Sequence, residues 1–180
     1  MLKIIVPAGE LFDPKTETFT YTKATELTLE HSLVAISKWE SKWEIPFLNT
    51  ELTHDQFVDY VRCMTITQLV DPNIYLTMTP AILTRIRSYM DAKMSAAVIH
   101  SDRQNNHESS KFVTADLIYY WMVALRIPFE CQKWHINRLL MLIRIAEIEQ
   151  NPNKKLSKAE SAKRHHATNA ARRAKMKNRH

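Results

Sequence analysis

A chain of 180 residues, 45% of them hydrophobic, is long enough for one domain with its own core plus an appendage. Its two cysteines, Cys63 and Cys131, are too few for a secreted disulfide scaffold, so both are expected as reduced, buried thiols of an intracellular protein. Gly9 is the only glycine, which excludes a phosphate-cradling P-loop, a dinucleotide fingerprint and a G-x-S-x-G nucleophile elbow, because each needs glycine where backbone crowds a ligand or a turn.

The net charge of +6 is unevenly placed. Residues 154–180 hold ten Lys or Arg against the single acid Glu160, a net of +9. The other residues hold fifteen basic and eighteen acidic groups, a net of −3. All the positive excess therefore sits in a terminal arm, which suggests an anionic partner or a solvated tail. No apolar run is long enough for a membrane span, so no membrane partner is expected. The opening apolar stretch is too short for a signal peptide, with Glu10 and Asp13 close behind it.

In chain order, residues 2–6 read as a short strand, and Gly9 and Pro14 bracket turns. Residues 18–23 alternate polar and aromatic, as a half-buried strand does. The two strands suggest a small hairpin, although the loop between them is long for one. Thr28 is a plausible N-cap for a first helix from Leu29 to Trp43, whose apolar stripe is Leu29, Leu33, Ile36, Trp39 and Trp43. Pro46 stops it. Thr53 caps a second helix through Thr67, with Phe57, Val58, Val61 and Met64 on one face. Asp71-Pro72 breaks the chain, and Thr79-Pro80 opens a third helix with Ile82, Leu83, Ile86, Tyr89 and Met90 inward.

Residues 100–111 are almost wholly polar and read as an exposed loop. Thr114 caps a fourth helix with Leu117, Ile118, Trp121, Met122 and Leu125 inward, ended by Pro128. Residues 130–150 read as the longest body helix. Its apolar set, including Trp134, Leu139, Leu142 and Ile145, spreads over more than one stripe, as in a central or interface helix. Asn151-Pro152-Asn153 marks a boundary. Beyond it Ser157 and Glu160 fit a capping box, and an alanine-, lysine- and arginine-rich run has high helix propensity but almost no large apolar residues. The expected fold is mainly α: a compact helical domain of about five helices with a short N-terminal β-hairpin over residues 1–152, and a basic helical or disordered arm over 153–180.

Candidate chemistry is sparse. Cys131 and His135 are four apart, as metal ligands on a helix can be, but no second pair shows ligand spacing. A buried cysteine beside a hydrogen-bonded histidine is the better reading, and no metal or cofactor is expected. Neither cysteine carries a local mark of activation. Glu26, Glu30, Glu40 and Glu44, beside Lys38 and Lys42, read as a solvated helix face with i,i+4 ion pairs rather than an acid–base pair. The four tryptophans, Trp39, Trp43, Trp121 and Trp134, fall on apolar faces and read as core rather than as base-stacking platforms. No catalytic constellation emerges, so the protein is expected not to be an enzyme.

The sharpest functional feature is the arm, where Lys154, Lys155, Arg164, Arg172, Arg173, Lys175, Lys177 and Arg179 present cations on all sides. Phosphate neutralisation on nucleic acid, a docking contact with an acidic protein, and a solubilising role all fit it. The candidate apolar interface residues are Trp134, Leu139, Leu142 and Ile145, for a partner or for self-association.

Four stretches together carry a family resemblance. They are residues 31–48 (HSLVAISKWESKWEIPFL), residues 60–67 (YVRCMTIT) with Asp71-Pro72, residues 119–140 (YYWMVALRIPFECQKWHINRLL), and Leu156-Ser157-Lys158 with Asn169 to Arg173 (NAARR). The pattern resembles a family of small proteins encoded among the structural genes of tailed bacteriophages, often labelled tail assembly chaperones. It spans residues 25–180 and departs only at the end, where His180 stands in place of a glycine. The resemblance implies a protein of the infected host cytoplasm that binds the tape-measure protein, a long helical component, before the tail tube assembles. It also leaves open a structural virion component, head–tail or minor capsid or tail, whose basic arm touches DNA or neighbouring subunits. A nucleic-acid-binding regulator is the third reading.

Overall fold

The computed structural model describes residues 1–14, 17–97 and 113–150. Two compact units divide the chain, residues 1–144 and 145–180, and of the second only 145–150 are described. The expected polar loop and the whole basic arm, with its boundary at Pro152, lie outside the described residues.

The mainly helical expectation holds. Strands β1 (Leu2–Val6), β2 (Gly9–Asp13), β3 (Thr18–Thr22) and β4 (Thr25–Leu29) come first, followed by helices α1 (Leu33–Trp43), α2 (His54–Met64), α3 (Pro80–Met90), α4 (Ala115–Ala124) and α5 (Ile136–Gln150). Two 3-10 segments, Pro72–Thr77 and Phe129–Lys133, lie between helices.

The N-terminal hairpin is longer than expected, and its pairing differs. The strand at 2–6 pairs with β4, not with β3, while β2 pairs with β3. Both ladders share one register: Leu2 faces Leu29, Gly9 faces Thr22 and Asp13 faces Thr18. The four strands are thus one antiparallel hairpin interrupted at Pro7-Ala8 and Lys23-Ala24. The interruption changes which side chains turn inward. Ile4, Val6, Leu27 and Leu29 fill the core from the proximal half, whereas Thr22, across from Gly9, is the buried residue of the distal half. Gly9 is a packing residue rather than a turn residue. A Cβ there would sit 2.8 Å from Thr77 Cγ2 and 2.9 Å from Thr77 Cβ, too close for any other residue without displacement.

The strand β4 also displaces the expected start of the first helix. Thr28 and Leu29 are extended, and Ser32 is the N-cap, its Oγ accepting the Ala35 N–H at 3.3 Å. The outer edge of β4 is covered by the chain leaving α2: Glu30 N–H donates to Met64 C=O at 2.9 Å, Ile66 N–H to Thr28 C=O at 2.8 Å, and Thr28 N–H to Thr67 Oγ1 at 2.9 Å. That pairing ends α2 at Met64 instead of Thr67. At the start of α2, Thr53 and Gln56 form the reciprocal capping box. Thr79 caps α3 and Thr114 caps α4, both as expected.

The expected helix over 130–150 is broken. Residues Phe129–Lys133 form a 3-10 turn, Trp134 is extended, and α5 begins at Ile136. The break has a long-range cause. Ser32 and His135 form an isolated antiparallel bridge, and Ile136 N–H donates to His31 C=O at 2.7 Å. Cys131 and His135 therefore do not share a helix face.

The core lies between α1, α2, α3, α4, the proximal hairpin and the start of α5. Trp39, Tyr60, Leu33, Ile36, Ile118, Met122, Ile136 and Leu139 are all fully enclosed. Trp39 packs edge-on against Phe47 at 5.2 Å between ring centroids and donates its indole N–H to Gln56 C=O at 3.0 Å.

Candidate functional site

Among the described residues, a cluster of titratable side chains is buried where the starts of α1 and α5 meet. His31 and His135 stack edge to face with ring centroids 5.1 Å apart. His31 Nδ1 is hydrogen-bonded to the Tyr60 hydroxyl at 2.5 Å. His135 Nε2 donates to the Tyr89 carbonyl at 3.0 Å, and its Nδ1 accepts the Asn137 N–H at 3.3 Å. This pairing uses both ring nitrogens of the neutral form. The Tyr89 hydroxyl donates to Glu30 at 2.6 Å, and the other Glu30 oxygen meets the Met1 ammonium at 2.9 Å. Asn137 closes the cluster from the far side, donating to the carbonyls of Met90 and Ala92 at 3.0 and 2.9 Å.

Burial decides the protonation of this cluster. Loss of hydration, with His135 close by, lowers the His31 imidazole to about 3. Burial also lowers His135, against the opposing pull of the Tyr89 carbonyl and Glu30. The phenols of Tyr60 and Tyr89 are pushed up, first by burial and, for Tyr89, next by its bond to Glu30. At neutral pH the histidines are uncharged, and no buried side-chain polar atom of the described residues lacks a partner. His31, 4% exposed and hydrogen-bonded inside the core, joins α1 to α2.

The carboxylates of the first helix region act in the same way. Glu40 Oε1 accepts the Phe47 N–H at 2.9 Å and Oε2 accepts the Ala115 N–H at 2.7 Å, holding the first turn of α4. Lys42 does not pair along its own helix. It bonds to Asp59 on α2 at 2.6 Å, and the Trp43 indole donates to the other Asp59 oxygen at 2.9 Å. Burial raises the Asp59 carboxyl, but its bonds to Lys42 and Trp43 together bring it below the ordinary value. Of the expected solvated face, Lys38 and Glu44 are exposed, whereas Glu30, Glu40 and Lys42 tie elements together. Among the described residues, no three His, Cys, Asp or Glu side chains are grouped to hold a metal ion. Burial raises the half-buried Cys63 thiol, with Asp59 adding to the effect.

The candidate apolar interface residues separate. Leu139 is fully buried and belongs to the core, because the break at Trp134 turns the start of α5 inward. Trp134 is half-buried, with the Arg138 guanidinium 4.1 Å from its ring centroid. Leu142 is half-buried, and Ile145 is 38% exposed. The basic candidates from Lys154 to Arg179 lie outside the described residues.

Exposed apolar side chains that periodicity does not mark are found elsewhere. On α4, Tyr120 and Val123 are 66% and 60% exposed at i,i+3 spacing, and Phe129 is exposed just beyond the helix. On the distal hairpin, Phe12 and Phe19 face each other with centroids 5.0 Å apart, and Tyr21 is 72% exposed. The signal for α4 was present in the sequence: a ten-residue helix apolar on every side cannot bury all of them. An open groove of about 440 Å³ runs between residues 91–97 and α5, with Leu140 and Met141 beside Asp91, Lys93 and Arg144. Among the described residues no helix is long and apolar enough to cross a membrane. No family model, no curated protein and no solved structure matches this chain.

Proposed function

We propose that this protein is a non-enzymatic assembly factor of a tailed bacteriophage, of the tail assembly chaperone type, that binds the tape-measure protein during tail morphogenesis in the host cytoplasm. The observation that carries this reading is a division between interior and surface. Among the described residues, His31, His135, Tyr60, Tyr89, Glu30 and Glu40 are engaged in holding the body together. Large apolar side chains, Tyr120 and Val123 on α4 among them, stand in solvent. A long helical partner with apolar stripes is kept soluble by faces of this kind. The identity of the partner rests on the resemblance of residues 25–180 to the phage family.

A second reading is favoured by one specific observation, the +9 charge of residues 154–180. A structural virion component would use Lys154, Lys155, Arg164, Arg172, Arg173, Lys175, Lys177 and Arg179 on DNA or on neighbouring subunits. Mass spectrometry of purified particles separates the two. Absence from the particle supports the chaperone, and a fixed copy number in the particle supports the structural component.

A further inference from the structure

We infer that His31 and His135 form an acid-released latch: as pH falls from neutral toward 4, the first turns of α5 come away from the body while α1, α2 and the proximal hairpin stay folded. The attachment of α5 runs through the junction of these two residues. Ile136 N–H donates to His31 C=O at 2.7 Å, Ser32 and His135 form an antiparallel bridge, and the His135 ring donates to Tyr89 C=O at 3.0 Å. Asn137 adds its bonds to the carbonyls of Met90 and Ala92. Behind this junction α5 buries only Ile136, Leu139 and Ile143 of its fifteen residues, whereas the eleven residues of α2 bury four.

The rest of the body is tied by other means. Trp39 bonds to Gln56 C=O, and Lys42 and Trp43 bond to Asp59, so α1 holds α2 without a histidine. The outer edge of β4 is covered by residues 64–67, again without one. Opening at the junction therefore leaves these ties in place, as a local opening requires.

The bonds of the junction need uncharged rings. Asn137 N–H donates to His135 Nδ1 at 3.3 Å, so a proton on that nitrogen sets donor against donor. The rings stand edge to face with centroids 5.1 Å apart, so a second charge would meet the first inside the core. The groups facing them are Tyr60 from α2, Tyr89 from α3, Glu30 just after β4, and the Met1 ammonium before β1. Both phenols stay uncharged in acid. Glu30 favours a proton on His135 and the ammonium opposes it, but both Glu30 oxygens are already engaged, by the Tyr89 hydroxyl and by that ammonium. Closed, the junction holds both histidines below their ordinary value of 6.5; open, water restores it and both take up a proton. Falling pH thus favours the open form.

Amide hydrogen exchange of the full chain, followed residue by residue by NMR from pH 6.5 to pH 4, tests this. The opening constants of the Ile136 and Leu139 amides should rise about fiftyfold or more between pH 6 and pH 4. They should also exceed that of Val61 in α2 by about tenfold or more throughout. His31→Gln keeps a hydrogen-bonding side chain beside Tyr60 but takes up no proton, and should cut the acid-driven rise by about tenfold or more. Ile136 and Leu139 amides that open no more readily than Val61 would mean global unfolding alone and overturn the latch. So would a local opening indifferent to pH, or an undiminished rise in His31→Gln. The comparison within the parent chain decides the matter even if that variant fails to fold.

Discussion

Glu40 and Ala115, 75 residues apart in sequence, are joined at 2.7 Å by a carboxylate oxygen accepting the first backbone N–H of α4. The other oxygen holds Phe47 N–H, so one side chain fastens both the loop after α1 and the start of a helix. A carboxylate at a helix start also meets the positive end of the helix dipole. Glu40→Ala leaves two part-buried amides without their acceptor, and the expected loss is about 2 to 4 kcal/mol in urea unfolding. Glu40→Gln keeps one oxygen as acceptor and loses less. Equal stability of Glu40→Ala and the parent chain would contradict this role.

The buried histidines set the acid response. His31 is lowered to about 3 in the folded chain from 6.5, so the unfolded chain binds the proton more readily between those values. Stability is therefore full above about 6.5 and falls as pH drops toward 3. His135 acts in the same direction. Asp59, lowered from 3.8, adds a loss only below that value. Unfolding free energies measured from pH 8 to pH 4 should decline chiefly below 6.5, and His31→Gln should flatten the slope. A stability profile that stays level down to pH 4 would refute the assignment.

Gly9 tests the packing of the distal hairpin. Gly9→Ala forces a Cβ against Thr77, which costs about 1 to 3 kcal/mol as overpacking does. Its partner variant Thr77→Ser removes Thr77 Cγ2, the nearer contact, and should recover part of the loss in a double-mutant cycle. Additive effects in that cycle would mean that the two side chains do not meet.

The exposed face of α4 offers a separation of stability from binding. Tyr120→Lys and Val123→Lys change exposed positions, so thermal unfolding should move within about 0.5 kcal/mol of the parent. The proposed chaperone reading predicts that capture of a tape-measure fragment by the same variants falls about tenfold or more. Unaltered capture would move the binding surface elsewhere on the chain.

Much of the helical body was legible because its signals are local. Thr53, Thr79 and Thr114 cap the helices they precede, and the 3.6-residue stripe places Phe57, Val61, Ile86 and Met122 inward. The errors share a different origin. Leu29 and Leu33 are four apart, so a strand residue extends the apparent stripe of α1 backward past Ser32. The break at Trp134 arises from bonds to His31 and Ser32, about a hundred residues away, which no local period records. Glu30 and Glu40 look like solvent-facing charges until the tertiary fold brings Tyr89 and Ala115 to them. The exposed aromatic tip of the hairpin follows from the bend at Pro7-Ala8, which changes the inward side. Alternation alone assigns no side.

For the proposed chaperone reading, co-expression of this chain with a tailed-phage tape-measure protein is the most direct measurement. The chaperone reading predicts that the tape-measure protein becomes soluble and co-purifies with this chain through size exclusion. A tape-measure protein that remains equally insoluble and unbound in its presence would contradict it.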